Sequence, residues 1–310
     1  MEKLAAEQNT INEAPWYILG AGAIGCLWAC YLSLAGLPVV LITREQRNAS
    51  KIQLTRQDQQ QDITIEQISS HTLSHSSIIV ERLLVATKAQ QTLAALDAIE
   101  PHISKDATLL ILQNGMASKD VAQRLSTQKI HIAITTDGAY RTAPLSVVHA
   151  GVGQTSIGGQ ADSEELLSLL PTQFLTIKAC DNITEIQWQK LAINCAINGL
   201  TAVFQCRNGE LLTNPQALAR VKALCDEITS ITKQIDSSLT ISNNLFQQTQ
   251  KTLQQTANNY SSMYQDIQQG NLTEIDFING YLCSEARRLG IDCPENQRLV
   301  TEIKTIEKTL

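Results

Sequence analysis

Three polar residues recur every four positions along an otherwise apolar segment: Lys190, Asn194 and Asn198. Because a helix turns by ~100° per residue, every fourth residue returns to within ~40° of the same direction. The spacing therefore predicts one ammonium and two carboxamides on a single stripe of a helix. Asparagines in an apolar stripe are costly without polar partners. We therefore predict that the three residues of the stripe belong to a functional site.

A glycine-rich run follows the first predicted strand and precedes a helical pattern that reaches Leu34. In this context the pattern GxGxxG permits a tight turn, close approach of a pyrophosphate and close packing of the helix. The helix N-terminus adds backbone amides and a partial positive charge. We predict that the run binds a dinucleotide through Gly20, Ala21, Gly22, Ala23, Ile24 and Gly25.

The residue after the second predicted strand indicates which dinucleotide is preferred. NAD-specific domains usually place Asp or Glu there, whereas this chain has Arg44, with Arg47 close behind. A guanidinium matches a 2′-phosphate in charge and geometry, which favours NADP. Two alternatives stay open: Glu45 could accept the ribose hydroxyl, or Arg44 could be a solvated charge at the end of a strand.

Polar residues also follow later predicted strands, namely Lys88, Asn114 and Asp137. Ligands of doubly wound sheets bind beyond the carboxyl ends of the strands, so we expect these residues to line the same crevice as the glycine turn. Asn-Gly is also a common turn pair, which offers a second explanation for Asn114-Gly115. For Asp137 both a loop role and a site role stay open.

The pattern before residue 182 is typical of a parallel sheet wound by helices, because short β-branched runs alternate with helical periodicity. The predicted strands are Trp16 to Leu19, Val39 to Thr43, Leu83 to Thr87, Thr108 to Leu112 and Ile130 to Thr135. Residues 53–66 are predicted to form a hairpin. Runs at 146–150, 154–158 and 174–179 are expected to extend the sheet with antiparallel or mixed strands.

Beyond residue 182 helical periodicity and capping signals replace the β-branched runs, and we predict an all-helical second domain. The expected helices start at Asn214-Pro215, Ser242, Ser261 or Ser262, Glu274, and Pro294. The first four are expected to end near Asp236, Asn258, Gly270 and Leu289, with Gly290 as the C-terminal signal of the fourth.

Length and composition limit the class of protein. A chain of 310 residues exceeds the usual size of one hydrophobic core, and we predict a disordered extension at 1–14 and domains at 15–182 and 183–310. The net charge of −6, without a basic run, argues against nucleic-acid and membrane-surface partners. No long apolar stretch or signal peptide is evident, so a cytoplasmic location is expected. Eight cysteines without a CxxC pair and five histidines without metal-ligand spacing predict reduced core thiols and no metal site.

Several motifs occur together in order: the glycine turn, Thr87-Lys88-Ala89, Gln113-Asn114-Gly115-Met116, the segment 190–198, Asn208-Gly209-Glu210-Leu211, the segment 261–267 and the segment 273–280. Over about residues 15–300 the chain resembles the ketopantoate reductase (2-dehydropantoate 2-reductase) family. The resemblance implies an N-terminal α/β Rossmann-type domain and an all-α C-terminal domain like that of 6-phosphogluconate dehydrogenase. It also implies NADPH as cofactor and an active site in the cleft between the domains.

The resemblance implies residue roles as well. The lysine matching Lys190 is the proton donor, and the glutamate matching Glu274 supports the catalytic centre and the nicotinamide end of the cofactor. The expected substrate-binding residues are Asn114, Lys190, Asn194, Asn198, Asn208, Ser261 and Ser262. The expected cofactor-side residues, beside the glycine turn and Arg44, are Lys88, Asn114, Ala139 and Glu274.

These roles agree with the chemistry of a keto acid reduction, which requires a hydride at C2 and stabilisation and protonation of the alkoxide. A partly desolvated ammonium such as Lys190 can do the last two, because burial lowers its pKa towards the working pH. Glu274 could hold the ammonium, bind the substrate hydroxyl or do both. Alternatively, Thr273-Glu274 could simply be the start of a helix, where a carboxylate interacts favourably with the helix dipole. Ser261 and Ser262 could bind a carboxylate at a helix N-terminus, or Ser261 could only cap the helix.

The family match predicts reduction of 2-dehydropantoate to (R)-pantoate in pantothenate and coenzyme A biosynthesis, by a monomer or a homodimer. Two alternatives stay open: a reductase of another branched 2-keto acid, and an NADP-binding regulatory protein without catalysis. The chain departs from the family pattern at Gly199, where relatives commonly have proline, and in the loop at Asp137-Gly138.

Overall fold

The computed structural model describes residues 14–45, 51–125, 129–159, 163–237, 239, 241 and 244–310. The chain divides into two compact units. The first comprises the residues up to Gln113 together with Ala117–Ile183, and the second comprises Asn114–Met116 and Thr184–Leu310. The main boundary lies next to residue 182, but the segment 114–116 belongs to the second unit. Of the predicted N-terminal extension, only its last residue is described.

Two sheets form the framework of the first unit. In chain order the strands are β1 (Trp16–Leu19), β2 (Val39–Thr43), β3 (Lys51–Arg56), β4 (Gln59–Thr64), β5 (Glu66–Ser69), β6 (Val80–Val85), β7 (Ile103–Ile111), β8 (Lys129–Thr135), β9 (Gly138–Ala143), β10 (Ser146–Gly151), β11 (Thr155–Gly159) and β12 (Ile177–Ala179). The larger sheet has the order β12-β11-β8-β7-β6-β1-β2-β5, and the smaller has β4-β3-β10-β9. All neighbouring strands of the larger sheet are parallel except β8 and β11.

The central strands are apolar throughout because both faces of the larger sheet are covered. In β1, Trp16 and Ile18 enter one buried cluster, while Tyr17 and Leu19 enter another. Among the described residues, the helices of this unit are α1 (Ala23–Leu34), α2 (Ser70–Ser74), α3 (Ala89–Asp97), α4 (Ser118–Arg124) and α5 (Ser163–Leu167), with a 3₁₀ turn at Glu100–His102. The predicted parallel sheet wound by helices is confirmed.

The smaller sheet confirms the hairpin predicted at 53–66 and corrects one strand. β3 and β4 pair antiparallel, as a hairpin requires. β10, expected to extend the larger sheet, instead pairs parallel with β3 and antiparallel with β9. Its apolar face is buried there because Val147 joins Ile52 and Leu54 in the cluster that includes α1. β11 and β12 do join the larger sheet, as expected.

Among its described residues, the second unit consists of helices and turns. They are α6 (Ile183–Phe204), α7 (Glu210–Thr213), α8 (Pro215–Ile235), α9 (Leu245–Gln255), α10 (Ser262–Gln268), a 3₁₀ turn (Ile275–Phe277), α11 (Asn279–Leu289) and α12 (Pro294–Glu307). The side chain of Asn214 caps α8, and Gly290 ends α11 with a φ of 70°. The predicted cap at Ser242 lies outside the described residues.

One predicted helix start in this unit is wrong. The expected helix from Glu274 to Leu289 is split, because a 3₁₀ turn follows Glu274 and α11 begins only at Asn279. Ile275 and Ile278 on this turn are buried in the core of the second unit. Burial of these two side chains therefore decides the backbone path that leads away from Glu274.

Candidate active site

The predicted polar stripe lies on α6, the longest helix of the second unit among the described residues. Lys190, Asn194 and Asn198 are each partly buried, whereas the residues between them, such as Leu191 and Cys195, belong to the core. The polar stripe therefore lies on a helix that is otherwise mostly apolar and buried. The predicted geometry of the stripe is confirmed.

Asn114 joins the ammonium of Lys190 to the carboxylate of Glu274. Lys190 Nζ donates to Asn114 Oδ1 at 2.8 Å, and Asn114 Nδ2 donates to Glu274 Oε2 at 3.1 Å. The two charges fix the orientation of the amide, because its carbonyl faces the cation and its NH₂ group faces the anion. Glu274 is 8% exposed, so the carboxylate is held in a largely water-free setting.

Burial lowers the pKa of the Lys190 ammonium to about 8, although the nearby Glu274 carboxylate acts in the opposite direction. Desolvation therefore outweighs the attraction of the anion. An ammonium with this pKa is mostly protonated at neutral pH and gives up its proton more readily than an ordinary lysine. Those are the properties that a general acid needs.

Asn114 belongs to the second unit together with Gly115 and Met116. Two contacts hold its segment there. The Gln187 side chain donates to the Gly115 carbonyl at 3.0 Å. Gly115 itself has a φ of 70°, and a Cβ at this position would collide with the Phe277 carbonyl. This close approach explains the glycine better than an ordinary Asn-Gly turn does.

The far end of the stripe contacts the start of α10. Thr201 Oγ1 donates to the Asn198 carbonyl at 2.9 Å and shares a second hydrogen bond of 2.7 Å with the Ser261 hydroxyl. Ser261 is buried and caps α10 by accepting from the Tyr264 amide at 3.0 Å. Ser262, the first residue of the helix, is exposed. The structure therefore shows Ser261 as a cap and leaves Ser262 open to solvent.

Asn208 lies next to this region and has an incomplete set of hydrogen bonds. Its Nδ2 donates to Thr256 Oγ1 at 2.9 Å, and its backbone N–H donates to the Asn259 carbonyl at 3.0 Å. Its Oδ1 is buried without a hydrogen-bond partner among the described residues. A buried acceptor of this kind is costly unless a ligand donor completes it.

The sequence contained a signal for two supporting residues that the prediction missed. Gln187 precedes Lys190 by three positions and Thr201 follows Asn198 by three, so both continue the same helical stripe. Gln187 holds the segment of Asn114, and Thr201 holds the cap of α10.

The glycine turn of the first unit fits a dinucleotide. Gly20 has a φ of 116°, and a Cβ there would lie 2.8 Å from the Thr87 amide nitrogen. At Gly25 a Cβ would collide with the Gly20 carbonyl. At Gly22, by contrast, the nearest atom to an added Cβ is the Ala86 carbonyl oxygen at 3.9 Å, an ordinary van der Waals distance. The first turn of α1 contains no acidic residue, so the partial positive charge at the helix start is not neutralised there.

The other predicted cofactor residues of the first unit lie where strands end or begin. Arg44 follows β2 and is exposed, and Lys88 is partly buried at the N-terminus of α3, just beyond β6. Ala139 is on β9 and packs against the cluster that contains α1. The Gln113 side chain donates to the Thr87 carbonyl at 2.8 Å, which ties the end of β7 to the loop that carries Lys88.

Asp137 has a structural explanation. Its carboxylate accepts from the Gly153 amide at 2.8 Å, from Thr135 Oγ1 at 2.8 Å and from His149 Nε2 at 3.2 Å. Burial opposes ionisation, but the hydrogen bonds from His149, Gly153 and Thr135 hold the pKa of Asp137 below its usual value. Tyr31 of α1 bonds His149 Nδ1 at 2.7 Å and completes a buried chain. Asp137 is therefore fully engaged in holding β8, β10 and α1 together.

Metal clusters and membrane-spanning helices are both missing from the described part of the chain. No group of three or more His, Cys, Asp or Glu side chains there is arranged to hold a metal ion. No helix there is both long and apolar enough to cross a membrane.

Comparisons with known proteins place this geometry in a family. The family model described as ketopantoate reductase PanE/ApbA matches residues 16–161, and the model of its C-terminal part matches residues 182–307. A 2-dehydropantoate 2-reductase of Vibrio cholerae is 34% identical over 94% of this chain and 97% of its own length. One from Archaeoglobus fulgidus is 28% identical over 94% of this chain and 98% of its own.

Solved structures agree with the family models. A probable 2-dehydropantoate 2-reductase of Bacillus subtilis is 30% identical, with a TM-score of 0.79 over 94% of this chain and 100% of that one. A D-mandelate dehydrogenase solved with NADH and anilino(oxo)acetate has a TM-score of 0.88 at 24% identity, over 95% of this chain and 98% of that one, which shows a shared fold. The two family models cover most of the chain, and the relatives match nearly all of it; the protein therefore belongs to the ketopantoate reductase family.

Proposed function

We propose that this protein reduces 2-dehydropantoate to (R)-pantoate with NADPH. The observation that carries the proposal is the line Lys190–Asn114–Glu274, in which a buried carboxylate and an amide hold an ammonium of lowered pKa. A protein that only sensed a dinucleotide would need the glycine turn but no such proton donor. Membership of the ketopantoate reductase family supports the same substrate.

The reduced dinucleotide, when bound, supplies the hydride. Lys190 stabilises the negative charge that develops on the keto oxygen and then donates its proton to that oxygen. Glu274 and Asn114 keep the ammonium in position, and Glu274 favours its protonated form. Since a pKa of about 8 is close to neutral pH, Lys190 can be reprotonated from water between turnovers.

The substrate offers three kinds of polar group: a carboxylate, a keto oxygen and a hydroxyl. Asn194, Asn198 and Ser262 supply donors for the oxygens, while the buried Oδ1 of Asn208 needs a donor that the hydroxyl can provide. Carboxamides suit this role because they bind oxygens without adding charge beside Lys190. Ser261 holds Ser262 in place through its cap on α10.

The preference for NADPH rests on Arg44, whose exposed guanidinium follows β2. Arg44→Ala is expected to weaken NADPH binding by about tenfold or more and NADH binding much less, because only NADPH carries a 2′-phosphate. Dissociation constants from fluorescence titration provide the measurement. Glu45→Ala serves as the control: if Glu45 instead accepts a ribose hydroxyl, this variant loses NADH affinity, and equal losses of both cofactors in Arg44→Ala contradict the contact.

The function itself is tested by NADPH oxidation with 2-dehydropantoate and a panel of branched 2-keto acids. We expect kcat/KM to be highest for 2-dehydropantoate, because a substrate without the hydroxyl leaves Asn208 Oδ1 unpaired. A higher value for another keto acid would assign a different substrate to the same chemistry. Absence of turnover with every keto acid, together with tight NADPH binding, would favour a regulatory protein.

A further inference from the structure

An arginine outside the predicted sites contacts the glycine turn. Arg141 lies on β9, an edge strand of the smaller sheet, and its side chain is exposed. Its Nη1 donates to the Ala21 carbonyl at 3.1 Å. Ala21 is the second residue of the GxGxxG turn, so this contact brings a full positive charge to the start of α1.

The strand geometry explains how Arg141 reaches the turn. Side chains two positions apart in a strand point to the same side, so Arg141 shares a face with Ala139. Ala139 packs against the cluster that contains α1, and β9 as a whole lies against that helix. The next residue on that face is long enough to extend past the helix start to the carbonyl of Ala21.

Most of the hydrogen-bonding capacity of Arg141 remains available. A guanidinium has five N–H donors, and the contact with Ala21 uses one of them. No carboxylate of the described residues forms an ion pair with Arg141, and the first turn of α1 has no acidic residue. A cation fixed at a glycine turn, next to helix amides, matches the charge of a pyrophosphate.

We infer that Arg141 binds the pyrophosphate of the dinucleotide, as a positive counterpart to the backbone amides of the glycine turn. The inference rests on the cofactor site of the proposed function but not on its substrate. It gives the two arginines different ligand groups, since Arg141 contacts the bridge common to NAD and NADP, whereas Arg44 contacts the 2′-phosphate found only in NADP.

The test measures the binding of NADP⁺, NAD⁺, ADP-ribose and 2′-AMP to the full chain without substrate. Arg141→Ala is expected to weaken NADP⁺, NAD⁺ and ADP-ribose by about tenfold each, as the loss of a charge-assisted contact implies. The ratio of NADP⁺ affinity to NAD⁺ affinity should stay unchanged. The affinity for 2′-AMP should also stay unchanged, because 2′-AMP has a 2′-phosphate but no pyrophosphate. Arg141→Lys, which keeps the charge but loses the planar fork, is expected to show a smaller loss.

Lys129→Ala is the matched control, because it removes an exposed charge from the first residue of β8, at the end of the strand away from the carboxyl edge. It should leave all four affinities unchanged. Unaltered NAD⁺ affinity in Arg141→Ala would overturn the inference, as would a loss confined to NADP⁺ and 2′-AMP. Either result is independent of turnover with 2-dehydropantoate, so failure of the inference and failure of the proposed function are distinguishable.

Discussion

Lys190→Ala is expected to lower kcat for 2-dehydropantoate by about 10³-fold, because one side chain supplies both the proton and the positive charge that stabilises the alkoxide. The hydrogen bond from Nζ to Asn114 Oδ1 is lost with it, which leaves the amide and the Glu274 carboxylate without their cation. NADPH affinity should change little, since Lys190 is not among the residues predicted to bind the cofactor. Stopped-flow measurement of NADPH oxidation at saturating substrate gives the rate of the chemical step.

Lys222→Ala is a suitable control for this variant, since Lys222 is an exposed lysine of α8 in the same unit. It should retain the parental rate. Thermal unfolding of both variants separates a chemical defect from a folding defect. A rate for Lys190→Ala within about threefold of the parent, far less than a general acid contributes, would refute the role of Lys190 as proton donor.

Glu274→Gln is expected to lower kcat by about 10²-fold at neutral pH and to change the pH dependence of kcat/KM. In the parent enzyme the reaction needs the protonated ammonium, so activity should be present below a pKa of about 8 and be lost as the pH rises through it. The carboxylate of Glu274 raises that pKa, while burial lowers it. Removing the carboxylate leaves burial unopposed, and we expect the alkaline limb to move down by about one pH unit.

The profile of kcat/KM between pH 6 and pH 10 measures this shift. Asp276→Asn provides the comparison, because it removes a carboxylate two residues away whose partner is the surface residue Lys304. Its alkaline limb should coincide with that of the parent. A Glu274→Gln profile with an unchanged or raised alkaline limb would show that Glu274 does not act on the ammonium.

Local sequence patterns predicted the parts of the fold in which each element carries its own signal. The glycine turn, the apolar parallel strands, the Asn214 and Ser261 caps and the stripe on α6 all depend on residues within a few positions of one another. Spacing along a strand or helix fixes which side chains share a face, so these features need no knowledge of distant contacts. Arg44 and Lys88 were predicted to be cofactor residues in the same way, from their positions after predicted strands.

Where the sequence prediction failed, long-range packing was responsible. Burial of Ile275 and Ile278 in the core of the second unit replaces the expected helix after Glu274 with a 3₁₀ turn. Pairing with β3 takes β10 out of the larger sheet. Neither outcome is determined by nearby residues, because each depends on which partner surface is available after the chain has folded.

The candidate site likewise combines features that nearby residues determine with features that depend on distant contacts. The sequence alone determined that an ammonium and two carboxamides share a stripe on one helix. Only the tertiary structure brought Asn114 and Glu274, 160 positions apart, into one hydrogen bond. It also placed the Lys190 ammonium within hydrogen-bonding distance of Asn114. It also brought Arg141 to the glycine turn, 120 positions away along the chain. The periods of helices and strands depend on residues that are close in sequence. Desolvation and charge pairing depend instead on every part of the chain that surrounds a side chain, and these two effects decide the pKa and the chemistry of Lys190.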